Sequence, residues 1–266
     1  MGNINDKLNY LDETKNEIKN ALISKGISVE NIDTFRSYAK KISNINDYFK
    51  RYIEKDWENN VIVLPEDLTK IQDYIFYDYG SYSTETGEQV EFKTFSINSF
   101  PNNIKLIGRN AFDWYWEQSA IDFSNVTKLS DNLVKISAAA FSKNKTLNIT
   151  KFPDTLEYIG SQAFRENSKL TDITMLGIKT LAGHMSSYGS FYKCTNLKTV
   201  RMGSQLTTMG QYVFNGCTSL EAIYIDLPRA TVETLAGYEY AFMNDTTKTG
   251  IIICNDDENW VPYTEE

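Results

Sequence analysis

The chain has 266 residues, 41% of them hydrophobic and 23% charged, with a formal net charge of −8. This is the balance of a folded globular chain. Its acidity argues against nucleic acid as a partner, because phosphate binding draws on Lys and Arg, and the absence of an apolar run of about eighteen residues argues against membrane insertion. Three Cys and one His give neither a disulfide framework nor a zinc spacing, so no metal and no cofactor are expected.

In chain order, the opening MGNINDKLNYLDETK carries no secretory signal, so synthesis in the cytosol is expected. Ile4, Leu8, Leu11, Ile18 and Leu22 then recur at four- and three-residue steps, interrupted by polar Lys15. This is a short heptad seam. Gly26 stops that helix, and Phe35, Tyr38, Ala39, Ile42 and Ile45 line one side of a second, so residues 1–45 read as a helical hairpin. A seam this short is marginal in water alone. It either caps the repeats C-terminal to it or joins copies and docks on a larger assembly; the expectation is an oligomerisation or docking element, with a homotrimer as its most natural product. Residues 46–60, with Tyr48, Phe49, Tyr52, Ile53 and Trp57 at helical spacing, read as a connecting helix.

From 61 to 254 the chain repeats itself. In LPEDLTKIQDYIF (64 to 76), FPNNIKLIGRNAF (100 to 112) and FPDTLEYIGSQAF (152 to 164) the second residue is Pro, the fifth and eighth are apolar and the thirteenth is Phe. Aligning the rest gives about seven units. Their first apolar column is Leu68, Ile104, Leu133, Leu156, Ile178, Leu206 and Val232, and the second is Ile71, Ile107, Ile136, Ile159, Leu181, Met209 and Leu235. Each unit ends in Phe: Phe76, Phe112, Phe141, Phe164, Phe191, Phe214 and Phe242. A second half-unit comes next, clearest as KLTDITM (169 to 175), NLKTVRM (196 to 202) and SLEAIYI (219 to 225), whose last residues alternate as a strand does. One unit cannot bury its apolar side alone, whereas stacked units form a continuous core. The fold class expected is an α/β repeat solenoid over 61–254, preceded by the helical segment and followed by an acidic tail at 255–266.

The stretches LEYIGSQAFRENSKLTDITM and LTTMGQYVFNGCTSLEAIYI closely resemble the BspA-type leucine-rich repeat family. That resemblance implies the solenoid and a binding role, in a family that occurs in bacterial adhesins, protist surface proteins and phage proteins alike. It also implies that Cys194 and Cys217, one basal period of 23 residues apart, are buried thiols. The first forty residues resemble the N-terminal helical segment of phage and prophage tail and minor structural proteins, in K-L-x-Y-L-x-x-T-K and T-F-R-x-Y-A-x-K-I. This second resemblance implies a virion component assembled in the host cytoplasm, with other virion structural proteins as partners.

No phosphate loop, dinucleotide fingerprint, zinc-protease helix or nucleophile elbow occurs in the sequence, so no catalytic residues are expected. His184 and the neighbouring Ser186 and Ser187 read as a solvated loop. Two places can bind. One is the insertion DWYWE after Phe112, where Trp114, Tyr115 and Trp116 can stack on sugar rings, anchor a protein or cover the solenoid's flank. The other is the strand face, where Thr171, Asp172, Thr174, Lys198, Thr199, Arg201, Glu221 and Tyr224 point outward. The function expected is a non-enzymatic virion structural or host-recognition protein that binds a host-surface glycan or protein. The alternative is a bacterial cell-surface adhesin.

Overall fold

The structure, a computed structural model, describes residues 15–16, 18–20, 60–76, 94–113, 121–183, 188–241 and 251–264. The chain divides into two compact units, Met1–Glu58 and Asn59–Glu266. In the first, residues 15–16 and 18–20 are helical and Ile18 is half-buried. Ile4, Leu8, Leu11 and Leu22, the second helix and the connecting segment lie outside the described residues.

The second unit is a β-solenoid. Its longest sheet is parallel and runs β1(Lys70–Ile71), β3(Leu106–Ile107), β5(Lys135–Ile136), β6(Tyr158–Ile159), β8(Thr180–Leu181) and β10(Thr208–Met209). The register pairs Ile71 with Ile107, Ile107 with Ile136, Ile136 with Ile159, Ile159 with Leu181, and Leu181 with Met209. The second apolar column of the sequence is thus one rung of the sheet for six units. Two further parallel sheets hold the other half-units: β2(Phe95–Ser96) with β4(Ile121–Asp122), and β7(Asp172–Met175), β9(Thr199–Met202), β11(Ala222–Ile225) and β12(Ile252–Cys254) in spatial order.

Between the sheets stands a column of rings. Phe76, Phe112, Phe141, Phe164, Phe191 and Phe214 succeed one another at centroid distances of 5.2, 5.1, 5.4, 5.3 and 5.7 Å, their planes within 19° of parallel. The step is slightly more than the strand spacing of about 4.8 Å, so the backbone ladder sets the stack. Phe123 and Phe152 meet the column edge-on, an arrangement the ring quadrupole favours. All eight rings are at most 3% exposed.

The α/β expectation needs correction. The limb between the first sheet and each of Phe76, Phe112, Phe141, Phe164 and Phe214 is a succession of tight turns, and among the described residues of the solenoid the one α-helix is the short α1(Arg229–Val232). The cause is backbone conformation. Two residues before the Phe, Tyr74, Asn110, Ala139, Gln162 and Tyr212 have φ between 50 and 60°; two residues after it, Lys143, Glu166, Lys193 and Gly216 have φ between 56 and 77°. A left-handed residue ends a right-handed helix, so one such residue beside the Phe, or two about Phe141, Phe164 and Phe214, leaves only turns.

Adjacent turns also approach too closely for side chains at some positions. A Cβ on Gly210 would lie 2.1 Å from the Gly183 backbone nitrogen. The seventh unit departs from the expected alignment as well: α1 brings Val232 into the core, and Thr208 pairs with Ala236, so Met209 faces Gly237 rather than Leu235 in register. The longest insertions and Phe242 lie outside the described residues.

Candidate functional site

In β7, β9 and β11 every second residue is consumed by the core: Ile173, Val200 and Ile223 form one inward rung, Met175, Met202 and Ile225 the next. The residues between them project outward by strand alternation. Lys151 bridges to Thr174, Thr174 pairs with Arg201 and Arg201 with Tyr224, giving one outward row across three strands and a bridge, and Tyr224's neighbour on β12, Ile253, is buried. Beside it runs Asp172, Thr199 and Ala222, with the Thr199 hydroxyl donating to the Asp172 carboxylate.

The row is occupied by another part of the chain. Arg201 places its guanidinium 4.0 Å from the centre of the Tyr224 ring and donates from Nη1 to the Val261 carbonyl at 2.8 Å. Trp260 lies 6.3 Å from Tyr224, ring to ring, and the Lys151 ammonium sits 5.8 Å from the centre of the Tyr263 ring. Residues 260–263 therefore cross the row as a strap, meeting Tyr224, Arg201 and Lys151 in turn. The dimensions agree: three strand steps make about 14 Å, three extended residues about 10 Å, and the long Lys151 and Tyr263 side chains span the rest.

A firm anchor precedes the strap. Asp257 accepts from Arg229 Nε at 3.1 Å and Nη2 at 2.5 Å, and from the Cys254 backbone N–H at 2.7 Å. Arg229 Nη2 also donates to the Ile252 carbonyl at 2.9 Å, while its backbone N–H donates to Asp256. The Arg229 fork, and then the Cys254 N–H, hold the Asp257 carboxyl below its ordinary range, and Asp257 in turn raises Arg229.

Beyond the anchor the attachment is light. The Trp260 backbone N–H donates back to the Asp257 carbonyl, and Arg201, Tyr224 and Lys151 of the row meet the strap through their side chains. Residues 261–264 are exposed. Ordering four residues costs roughly 4 to 8 kcal/mol, which Pro262 lowers by restricting the free segment. A charge-assisted hydrogen bond, a ring contact and an exposed cation–π contact together return about 3 to 5 kcal/mol. The two sides nearly cancel, so the strap rests near balance.

Sequence-predicted site residues separate into three groups. Thr174, Arg201 and Tyr224 come together under the strap. Thr171, Lys198 and Glu221 stand at the strand entrances, where the Thr171 carbonyl accepts from Lys198 N–H at 2.6 Å and the Lys198 carbonyl from Glu221 N–H at 2.8 Å; they form a separate edge. Trp114, Tyr115 and Trp116 lie outside the described residues, as do His184, Ser186 and Ser187; their neighbour Asp113 accepts from Asn110 Nδ2 at 2.8 Å. Sequence reading missed Lys151, Trp260 and Tyr263, and it took 255–266 for a plain tail. The available signal was opposite charge, acidic NDDENWVPYTEE against Lys151 and Arg201, which acquires meaning only once those residues are in place.

Cys194 and Cys217 are buried free thiols that donate to the Phe164 and Phe191 carbonyls at 2.9 and 3.1 Å. Burial, then the adjoining Cys217, pushes the Cys194 thiol well up, which suppresses the reactive thiolate. Asn144 and Asn167 hold the same position three residues after the Phe, their Oδ1 atoms accepting backbone N–H groups of the next turn. This ladder is structural.

The pattern of the BspA type leucine rich repeat region matches the chain in six copies, over residues 41–127, 86–188 and 107–249. No curated protein matches it. Among solved structures it is similar to the T. pallidum leucine rich repeat protein, with 21% identity over 65% of this chain and 80% of that one and a TM-score of 0.34. It is also similar to a leucine rich cell surface protein from Faecalibacterium prausnitzii A2-165, with 14% identity over 67% of this chain and 90% of that one and a TM-score of 0.23.

Proposed function

Since this chain belongs to the BspA-type leucine-rich repeat family, we propose that it is a non-enzymatic recognition protein whose repeat domain displays a binding face to a partner outside the cell that makes it. One observation carries the reading. The alternate strand positions that face inward satisfy the core completely, whereas the outward row is cationic, aromatic and polar, at Lys151, Thr174, Arg201 and Tyr224, a chemistry the fold itself does not require.

Two settings provide such display. In the first, the seam of Ile4, Leu8, Leu11, Ile18 and Leu22 joins copies, as a trimer, and docks on virion structural proteins, leaving the repeats for a host-surface glycan or protein. In the second, the repeats belong to a bacterial cell-surface adhesin. The first is supported by the sequence of residues 1–45, the second by the repeats alone. Light scattering on the full chain separates them at once: a trimer lost on replacing Leu8 and Leu11 by Asn supports the first, and a monomer at high concentration supports the second.

The recognition reading is tested by binding the full chain to whole bacterial cells and to a glycan array. Arg201→Ala with Tyr224→Ala is expected to lower binding at least tenfold with the fold intact. Trp114→Ala with Trp116→Ala is expected to weaken binding or assembly by about 2 kcal/mol per anchor. Binding indifferent to both pairs would sink the proposal.

A further inference from the structure

We infer that the outward row of Lys151, Arg201 and Tyr224 is a peptide-recognition face, and that residues 260–263 occupy it in cis as a stand-in for an extended acidic segment of a partner protein. The inference rests on the proposed recognition role and names the chemical class that the face accepts.

Three features specify the occupant. Arg201 Nη1 bonds a backbone carbonyl, that of Val261, and a backbone carbonyl is common to every polypeptide. The two contacts that flank it are aromatic and three residues apart, Trp260 at Tyr224 and Tyr263 at Lys151. An extended backbone places such rings on successive parts of the row, whereas a helix would put residues three apart on one face one turn apart, about 4.5 Å, too short to reach from Tyr224 to Lys151. The charges are complementary: the row supplies Lys151 and Arg201, and the sequence on either side of residues 260–263 supplies Glu258, Glu265 and Glu266, while Asp256 and Asp257 are taken up by Arg229. The face therefore accepts an extended acidic segment of the form aromatic-x-x-aromatic.

The geometry also provides for exchange. Asp257 and Arg229 fix the chain immediately before the strap, so residues 260–263 can leave the row without unravelling β12. Val261 is 53% and Tyr263 36% exposed, so an incoming segment meets little that is buried. The strap would lower the apparent affinity of any partner by the fraction of time it covers the row, and a partner with a better-fitting segment would displace it.

The test uses a fluorescently labelled peptide of the sequence ENWVPYTEE and the full chain in four forms: wild type, Trp260→Ala with Tyr263→Ala, Tyr263→Ala alone, and the double variant carrying Arg201→Ala in addition. Fluorescence anisotropy is expected to show the opened double variant binding the peptide at least twofold more tightly than wild type, the gain from removing a strap that covers the row about half the time. Arg201→Ala is expected to abolish that gain, and a peptide with both aromatics replaced by Ala is expected not to bind. Melting curves establish that each form is folded, and Tyr263→Ala, which alters a ring at the surface, replaces the double variant should that one unfold. Equal weak binding by wild type and opened chains, or binding insensitive to Arg201, would overturn the inference. So would an oligosaccharide held by the opened chain in place of the peptide, or a concentration-dependent dimer of wild type dissolved by Arg201→Ala, which would put a second copy's strap on the row. These failures leave the recognition role standing or falling separately, on cell and glycan binding.

Discussion

Aromatic rings serve opposite ends in the Phe column and in the strap. Phe164 is fully buried, stacked 5.4 Å from Phe141 and 5.3 Å from Phe191, and met edge-on by Phe152. Tyr263 is 36% exposed and rests on a lysine. The first ring is held because backbone ladders on both sides deliver its neighbours at a fixed spacing. The second is held by contacts that roughly offset the entropy of ordering it. Stability in this molecule thus belongs to the repeated, inward positions, and the outward ones are available for exchange.

Replacing Phe164 by Ala is expected to have the largest effect on that contrast, costing about 3 to 5 kcal/mol in chemical denaturation. Phe242→Ala, near the end of the array, is expected to cost less, since fewer units depend on it; equal losses would break the stacked-unit account. Next comes Gly210→Ala. Its methyl would stand 2.1 Å from the Gly183 nitrogen, and prising two turns apart is expected to cost about 1 to 3 kcal/mol by the same measurement.

The left-handed columns give a smaller, two-way prediction. Gly216 has φ 77°, so Gly216→Ala is expected to lose about 1 to 2 kcal/mol. Lys193, its counterpart one unit earlier at φ 57°, is expected to gain up to about 1 kcal/mol as Gly. Thermal melts that moved both variants in the same direction would contradict the assignment of this column to turn geometry.

Acid affects the anchor of the strap and leaves the column untouched. Asp257 has a folded pKa depressed chiefly by Arg229, so the stabilisation it contributes is complete above the ordinary carboxylate value of about 3.9. It is lost as pH falls through the lower folded value. Lowering the pH from neutral is therefore expected to leave the anchor closed until below about pH 4, and Asp257→Asn to remove this acid-sensitive step. Tryptophan fluorescence, compared with a Trp260→Phe reference, reads the transition; an anchor that opens between pH 5 and 7 would be inconsistent with the Arg229 pairing.

Much of the repeat core was legible in the sequence. A side chain buried between stacked units must be apolar in every unit, so Ile71, Ile107, Ile136, Ile159, Leu181 and Met209 could be aligned without coordinates, and the rung they form matches that alignment residue for residue. The seventh unit was misaligned because Val232 and Leu235 have the right spacing for either structure, and a helical turn took it. Of the candidate face, Thr174, Arg201 and Tyr224 could be read from alternation within one strand. Lys151 could not, because it pairs through a single bridge of its own and belongs to no regular strand.

Composition and periodicity by themselves determined that the chain is a stacked array, which residues it buries, and that Arg201 and Tyr224 lie on its outside. These stem from the hydrophobic demand of each unit, a local property written at fixed intervals. Only the tertiary structure decided that the limb about each described Phe turns through left-handed residues instead of running as a helix, and that residues 260–263 return across the row they come after in sequence. Ala139, Gln162 and Lys193 are ordinary in sequence yet are held at positive φ by the turns stacked on them. The contacts of Arg201 with Val261 and of Lys151 with Tyr263 join residues 60 and 112 positions apart in the chain. No local pattern records either, because their energy exists only after the units have stacked.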